Sequence, residues 1–130
     1  MHCRNGRIRK VIKMDINGRL VDVLGTEYKV VVQTPEENTK LEDANGLCEF
    51  WSKKIIIDIA KPDRTTFENL EMFNQKVVRH EIVHAFFGES GLKEYMNDEV
   101  LVDWIAVQFP KMWKAFKELG VLEDSDGRTN

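Results

Sequence analysis

The pattern of apolar and polar positions along the chain changes at about residue 62. Before this point, apolar residues form short, partly alternating runs that are typical of β-strands, at residues 8–16, 20–24, 28–33, 47–51 and 54–60. After it, apolar residues recur at helical spacing. A strand-rich half followed by a helical half predicts an α+β fold, in which a small antiparallel β-sheet in the N-terminal half packs on the helices that follow.

Turn residues between the runs support the predicted strands. Asn17-Gly18 and Gly25-Thr26 separate the first three runs, and Ser52-Lys53 joins the last two. Residues 34–45 are polar and predict a loop. The run at 54–60 is rich in isoleucine, so we expect a buried strand there that forms the floor beneath a helix.

The first predicted helix covers residues 66–87, and Gly88 and Gly91 are expected to end it. It contains His80-Glu81-Ile82-Val83-His84, the HExxH pattern. Positions i and i+4 lie above one another on a helix, so both histidines can bind one zinc ion at about 2.0–2.1 Å. Glu81 lies about 100° around the helix, where it can contact a water molecule beside the metal as a general base. The pattern therefore predicts a zinc hydrolase.

Apolar residues surround the motif and indicate a helix packed into the fold: Val77, Val78, Ile82, Val83, Phe86 and Phe87. Two histidines that face the interior need a polar partner, and a metal ion supplies one.

A second helix is predicted to begin near Asn97 or Asp98. Pro110 is expected to interrupt it, so that residues 111–119 form a third, short helix. The spacing of the three tryptophans is that of core residues rather than of a substrate groove: Trp51, Trp104 and Trp113.

The third metal ligand is expected to be a carboxylate. Catalytic zinc usually has three protein ligands and one open position, and the only other histidine is His2, near the N-terminus. The candidates follow the motif: Glu89, Glu94, Asp98, Glu99 and Asp103. Glu99 fits best because it begins an amphipathic helix that can cross the first helix and direct a carboxylate at both histidines. Asp103 lies on the same face and is suited to accept the remaining ring N–H of a ligand histidine.

These two segments resemble the ImmA/IrrE family of metallopeptidases, in particular its small members encoded by phages and prophages. In that family, a helix after the HExxH helix begins with a glutamate that completes the zinc site. The glutamate lies four residues before an Asn or Asp and seven before an Ala, positions held here by Glu99, Asp103 and Ala106. The resemblance covers roughly residues 45–112, although the connection from His84 to Glu99 is shorter than is common in the family.

The resemblance implies a role for each of these residues. It makes His80, His84 and Glu99 the ligands of one zinc ion and Glu81 the catalytic base. It also implies a protein or peptide substrate, such as a host or phage regulator, in a bacterial host cell.

Composition limits the other possibilities. At 130 residues the chain fits one domain, 1–130, whose ends at about 1–6 and 122–130 are expected to fray. The net charge of -3 argues against nucleic-acid binding, and the short N-terminal basic run is interpreted as a solvated face.

The cysteines and the hydropathy bear on location. Cys3 and Cys48 lie far apart without metal-ligand spacing, which predicts free thiols in a reducing cytoplasm. No apolar run approaches the ~20 residues that cross a bilayer, so no membrane association is expected.

Three functions remain open at this stage. The leading hypothesis is a zinc metallopeptidase, and the others are a catalytically silent zinc-binding interaction module and a zinc amidohydrolase that acts on another amide. Glu81 favours catalysis because a scaffold needs the ligands but not the base. Tyr95 could donate a hydrogen bond to an oxyanion, although a structural role under the loop is the preferred interpretation.

Overall fold

The computed structural model describes residues 15–59 and 70–123. Within these residues four strands come first: β1 (Leu20–Val23), β2 (Thr26–Val32), β3 (Gly46–Glu49) and β4 (Lys54–Ile57). Three α-helices follow in the described part of the chain: α1 (Leu70–Glu89), α2 (Lys93–Met96) and α3 (Glu99–Leu119). A short 3-10 helix, Thr39–Glu42, lies between β2 and β3. The predicted α+β class, with the sheet in the N-terminal half and the helices after it, is confirmed.

The strands form one mixed sheet in the order β1-β2-β4-β3. The pairs β1–β2 and β3–β4 are antiparallel hairpins, whereas β2 and β4 run parallel, with Val30 opposite Ile55. The prediction of an antiparallel sheet is therefore wrong for the β2–β4 pair, which is parallel. The chain crosses from β2 to the far edge of the sheet, forms β3 there and returns as β4, and this return places β4 beside β2 in the same direction.

Most strand predictions match the structure within a few residues, but the proposed strand at 8–16 lies largely outside the described residues. The predicted turn at Asn17-Gly18 is present, with Gly18 at a φ of 85° and its N–H donating to Val30 O. In the β1–β2 turn, Leu24 and Gly25 both have positive φ, at 52° and 91°. Two such residues match the right-handed twist of the flanking strands.

The core lies between one face of the central strands and α1. Tyr28 and Val30 of β2, and Ile55 and Ile57 of β4, pack together with residues of α1 that include Val77 and Ala85. β4 therefore forms the floor beneath the motif helix, as expected from its isoleucine run.

α1 differs from the predicted helix at its C-terminal end. It continues through Gly88 to Glu89, and Gly91, at a φ of 87°, follows it. A Cβ at position 88 would lie 2.5 Å from Cε1 of Phe50, so Gly88 permits close packing rather than ending the helix. The predicted start of this helix lies outside the described residues.

α3 is one continuous helix, so the predicted break at Pro110 and the separate helix at 111–119 are wrong. Its N-terminus does lie where it was predicted, because the Asp98 side chain accepts a hydrogen bond from the Leu101 N–H. A proline inside a helix leaves the carbonyl four residues earlier without its backbone donor. Here that carbonyl is Ala106 O, and Nε of Arg79 on α1 donates to it at 2.7 Å. A side chain from the neighbouring helix thus replaces the missing donor.

The prediction that the tryptophans are core residues is wrong. All three are exposed: Trp51, Trp104 and Trp113. The buried residues of α3 are Val102 and Ala106, and every residue from 109 to 119 is exposed. Helical spacing indicates which residues share a face, but it does not establish that another element covers that face. Across residues 15–59 and 70–123, no helix combines the length and apolarity needed to cross a bilayer.

Candidate metal centre

The motif histidines line a cavity of about 530 Å³ between α1, the segment that leads into β3, and the beginning of α3. His80 and His84 are one turn apart, and their ring centroids are 4.9 Å from each other. His84 is buried and His80 is largely so. The i and i+4 placement that the motif predicted therefore brings both rings into the same cavity.

Glu99 brings its carboxylate to both rings from the first turn of α3. Its Oε1 lies 2.8 Å from Nε2 of His80, and its Oε2 lies 3.3 Å from Nε2 of His84. The Glu99 side chain is 67% exposed, so it reaches the histidines from the open side of the cavity. Each oxygen of a single carboxylate thus faces a different imidazole.

The other ring nitrogens face oxygen acceptors. Nδ1 of His80 lies 3.1 Å from Oδ1 of Asp103, and Nδ1 of His84 contacts the carbonyl oxygen of Met96. Because an oxygen acceptor requires a donor, we place the proton of each neutral ring on Nδ1, which leaves the Nε2 lone pairs directed at Glu99. Lone pairs and a carboxylate that face one another require positive charge between them, from added protons or from one metal ion.

Glu81 is the buried carboxylate of the cavity, with 6% of its surface exposed. Possible ligand atoms of His80, Glu81 and His84 all lie within 4.8 Å of one another, so this group could hold a metal ion. Burial raises the pKa of the Glu81 carboxyl to about 7; His80 opposes this increase and Glu99 adds to it. A base whose pKa lies near neutrality is suited to accept and return a proton.

Gly46, the first residue of β3, makes room for Glu81. A Cβ at position 46 would lie 3.0 Å from Cγ and 3.1 Å from Oε2 of Glu81, and 3.2 Å from the backbone oxygen of Ile56. A larger residue would therefore press on the carboxylate. Sequence reasoning missed this role because Gly46 stood at the end of a polar loop, where glycine has many other uses.

Lys76 is a second residue that the sequence reasoning missed. Its Nζ lies 3.0 Å from Oδ1 of Asp103, the same oxygen that faces His80. Burial favours a higher pKa for Asp103, but hydrogen bonds from Lys76 and His80 outweigh it and lower the pKa. Asp103 therefore stays ionised opposite His80. Helical spacing could have revealed Lys76, which precedes His80 by four residues on the same face.

The remaining carboxylate candidates are directed elsewhere. Glu89 lies 3.2 Å from Thr26 Oγ1, 2.7 Å from Tyr28 OH and 2.7 Å from Lys53 Nζ, on the side of the sheet. Asp98 caps α3, and Glu94 is exposed on α2 and does not line the cavity.

Two other side chains near the site can now be placed. Cys48 is a free thiol that lines the cavity, and burial, together with the nearby Glu81, raises its pKa to about 12. It is therefore protonated at neutral pH. Tyr95 does not line the cavity; its ring centroid lies 6.1 Å from that of Phe87, and 41% of its surface is exposed. Cys3 and His2 lie outside the described residues.

Comparison with known proteins adds no family assignment. No family model matches the chain, and neither a curated protein nor a solved structure matches it.

Proposed function

We propose that this protein is a zinc-dependent metallopeptidase, in which His80, His84 and Glu99 hold one zinc ion and Glu81 is the general base. The observation that carries the proposal is that both oxygens of Glu99 face the two Nε2 atoms, while each Nδ1 has an acceptor of its own. Four atoms that bear lone pairs converge there from two helices.

The donor set fits zinc. Two imidazole nitrogens and one carboxylate are a frequent ligand set of catalytic zinc sites, which leave one position open for water or substrate. Iron(II) uses the same three residue types, so a metal analysis has to identify the ion. The cavity provides space beside the three residues for a water molecule and a peptide group.

When bound, zinc polarises the scissile carbonyl and makes water nucleophilic at neutral pH. Glu81 takes the proton of the attacking water and transfers it to the leaving amine, a role that its burial beside the histidines suits. Asp103 accepts from the Nδ1–H of His80 and the Met96 carbonyl accepts from the Nδ1–H of His84, and these contacts orient the two rings. Lys76 in turn fixes Asp103.

Membership in the ImmA/IrrE family is part of this proposal. It rests on the HExxH helix and on a following helix that begins at Glu99, with Asp103 and Ala106 at the spacing of that family. Asp103 faces His80 and Ala106 is buried, so both positions have a physical use in this fold.

The test measures metal content and cleavage separately. Purified protein should contain about one zinc ion per chain by elemental analysis. Glu81→Gln should keep the zinc and cleave a proteome-derived peptide library about 10²–10⁴-fold more slowly than the wild type, because only the base is removed. Glu94→Gln makes the same chemical change on an exposed residue outside the cavity and should change neither measurement.

The outcomes separate the competing functions. Zinc binding without cleavage of any peptide by the wild type would favour a silent binding module or hydrolysis of another amide. Full cleavage by Glu81→Gln would exclude Glu81 as the base. Absence of zinc from the wild type would contradict the proposal as a whole.

A further inference from the structure

A second cavity, of about 600 Å³, adjoins the candidate metal centre. Its walls are the β3–β4 hairpin and α2, and it shares Cys48, Met96 and Asn97 with the first cavity. The Met96 carbonyl contacts Nδ1 of His84, so the wall between the cavities is attached to a proposed metal ligand. The two cavities are therefore neighbours that share one set of wall residues.

The second cavity has a fixed aromatic base and an exposed aromatic rim. Phe50 packs so closely on α1 that a Cβ at position 88 would lie 2.5 Å from its ring and 3.0 Å from Sδ of Met96. Trp51 packs edge-on against Phe50 with ring centroids 5.0 Å apart, and 83% of its surface is exposed. An exposed tryptophan on a rigid support offers a large apolar contact area to a ligand at little entropic cost.

Lys93 supplies positive charge at this rim. Its Nζ lies 5.3 Å from the centroid of Phe50 and 5.2 Å from that of Trp51. Among residues 15–59 and 70–123, no carboxylate lies within ion-pair distance of Lys93. Lys53 also lies over Phe50, but Glu89 at 2.7 Å neutralises it.

Glu49 is the acidic residue that lines the second cavity, and both of its carboxylate oxygens already contact other side chains. Glu49 accepts a hydrogen bond from Ser52 Oγ, and its other oxygen lies 3.8 Å from Nζ of Lys40. The charge that faces the aromatic rim is therefore the ammonium of Lys93.

β3 provides a path between the two cavities. It is an edge strand, and within the described part of the chain its only strand neighbour is β4. Gly46 lies beside Glu81, and Trp51 follows the other end of β3. At about 3.3 Å per residue, an extended peptide along this edge would reach the aromatic rim about three to five residues from the bond beside Glu81.

We propose that Phe50, Trp51 and Lys93 form a substrate subsite that selects extended peptides carrying a carboxylate about three to five residues from the scissile bond. The inference rests on the proposed peptidase function and names the class of peptide that it acts on. The carboxylate pairs with Lys93 while the neighbouring apolar atoms of the peptide contact Trp51. An Asp or Glu side chain and a free chain end offer the same group.

The test uses binding, which does not depend on turnover. Zinc-loaded Glu81→Gln is applied to arrays of immobilised random dodecapeptides, made in parallel with free and with amidated C-termini. Bound sequences should be enriched in carboxylates. Enrichment that survives amidation assigns the group to Asp and Glu side chains, whereas enrichment lost on amidation assigns it to the chain end.

Variants of the exposed rim, each made in the Glu81→Gln background, sharpen the result. Lys93→Glu should weaken binding of the enriched peptides about two- to fivefold and shift the enrichment toward Lys and Arg. Trp51→Ala should weaken binding about tenfold without changing the charge preference. Lys114→Glu, an equal charge change on the exposed second half of α3, is the matched control and should leave the preference unchanged.

Random binding without carboxylate enrichment, or equal effects of Lys93→Glu and Lys114→Glu, would overturn the subsite. Neither result depends on catalysis. Failure of the wild type to cleave any peptide would instead count against the proposed function. The two proposals therefore fail through different measurements.

Discussion

Glu89 and Glu99 lie on either side of the connection between α1 and α3, and their surroundings are opposite. Glu89 belongs to a sheet cluster, defined by Thr26, Tyr28, Lys53 and Glu89, in which two hydroxyls and an ammonium donate to one carboxylate. Glu99 faces the Nε2 atoms of two histidines whose Nδ1 atoms already have acceptors.

The difference distinguishes a carboxylate that is satisfied within the protein from the one that we propose as a metal ligand. Every contact in the sheet cluster joins a donor with an acceptor, so the cluster is complete within the protein. In the cavity cluster, defined by His80, His84, Glu99 and Asp103, the two Nε2 atoms face the Glu99 carboxylate, and added protons or a metal ion must supply the positive charge between them. Proximity to the motif does not decide between the two glutamates, whereas the chemistry of their partners does.

Replacing each glutamate separately with alanine should produce the largest difference in zinc affinity between two variants. Glu99→Ala should lower zinc affinity by more than about 100-fold. The loss of a proposed metal ligand should cost more affinity than the loss of a residue that only hydrogen-bonds to a ligand. Glu89→Ala should leave zinc affinity unchanged and lower the thermal unfolding midpoint, because Tyr28 and Lys53 lose their acceptor. Competition with a chelator measures the first effect and calorimetry the second. A Glu89→Ala protein that folds normally but loses zinc would reverse the comparison.

Within the cavity cluster, Asp103 should have the next largest effect. Asp103→Ala should reduce zinc affinity about 10–100-fold, because His80 loses the acceptor that orients its ring. Lys76→Met is the matched control, since it removes the Lys76–Asp103 contact and leaves the Asp103–His80 contact in place. It should reduce the affinity less than Asp103→Ala does. Equal losses in the two variants would show that Asp103 orients the His80 ring only while Lys76 holds it in place.

Within the sheet cluster, Tyr28→Phe should lower the free energy of unfolding by about 1–3 kcal/mol, because it removes the donor to Glu89 from a fully buried position. Zinc affinity should not change. Urea denaturation followed by far-UV circular dichroism measures the loss. Thr26→Val, which removes the longer 3.2 Å contact to the same carboxylate, is the control and should have the smaller effect.

The smallest effect is expected in the pH dependence of stability. Hydrogen bonds from Lys53 and Tyr28 lower the pKa of Glu89 below its ordinary value of 4.5. A carboxyl with a lowered pKa in the folded state stabilises the fold fully above the ordinary pKa, and this contribution disappears as the pH falls through the lowered value. Below about pH 4.5, the wild type should therefore lose stability more steeply than Glu89→Gln, as measured by urea denaturation at each pH. Parallel curves would show that Glu89 does not contribute.

The extent of successful prediction differs between α1 and α3. In α1, helical spacing places His80 and His84 in one cavity, because four residues of a helix return the chain to the same face. In α3, the cap at Asp98 was predictable because a short polar side chain bonds to the next turn. Pro110 misled because its consequence depends on Arg79, which lies on another helix.

The exposed tryptophans also show that spacing along the sequence does not predict burial. Trp113 lies in the exposed second half of α3, and Trp51 forms an exposed rim beside Lys93. Their spacing identified faces of elements but not what those faces contact. Burial depends on which other elements cross a face, and spacing along one element carries no information on that.

The sequence by itself determined the α+β class, the motif helix and the register of His80, Glu81 and His84 on it, because these follow from interactions within a few residues. The tertiary structure decided that Glu99 faces both rings and that Glu89 belongs to the sheet. It also decided that Gly46 leaves room for Glu81. These contacts join residues far apart in the chain, and their geometry depends on how the helices cross one another and the sheet.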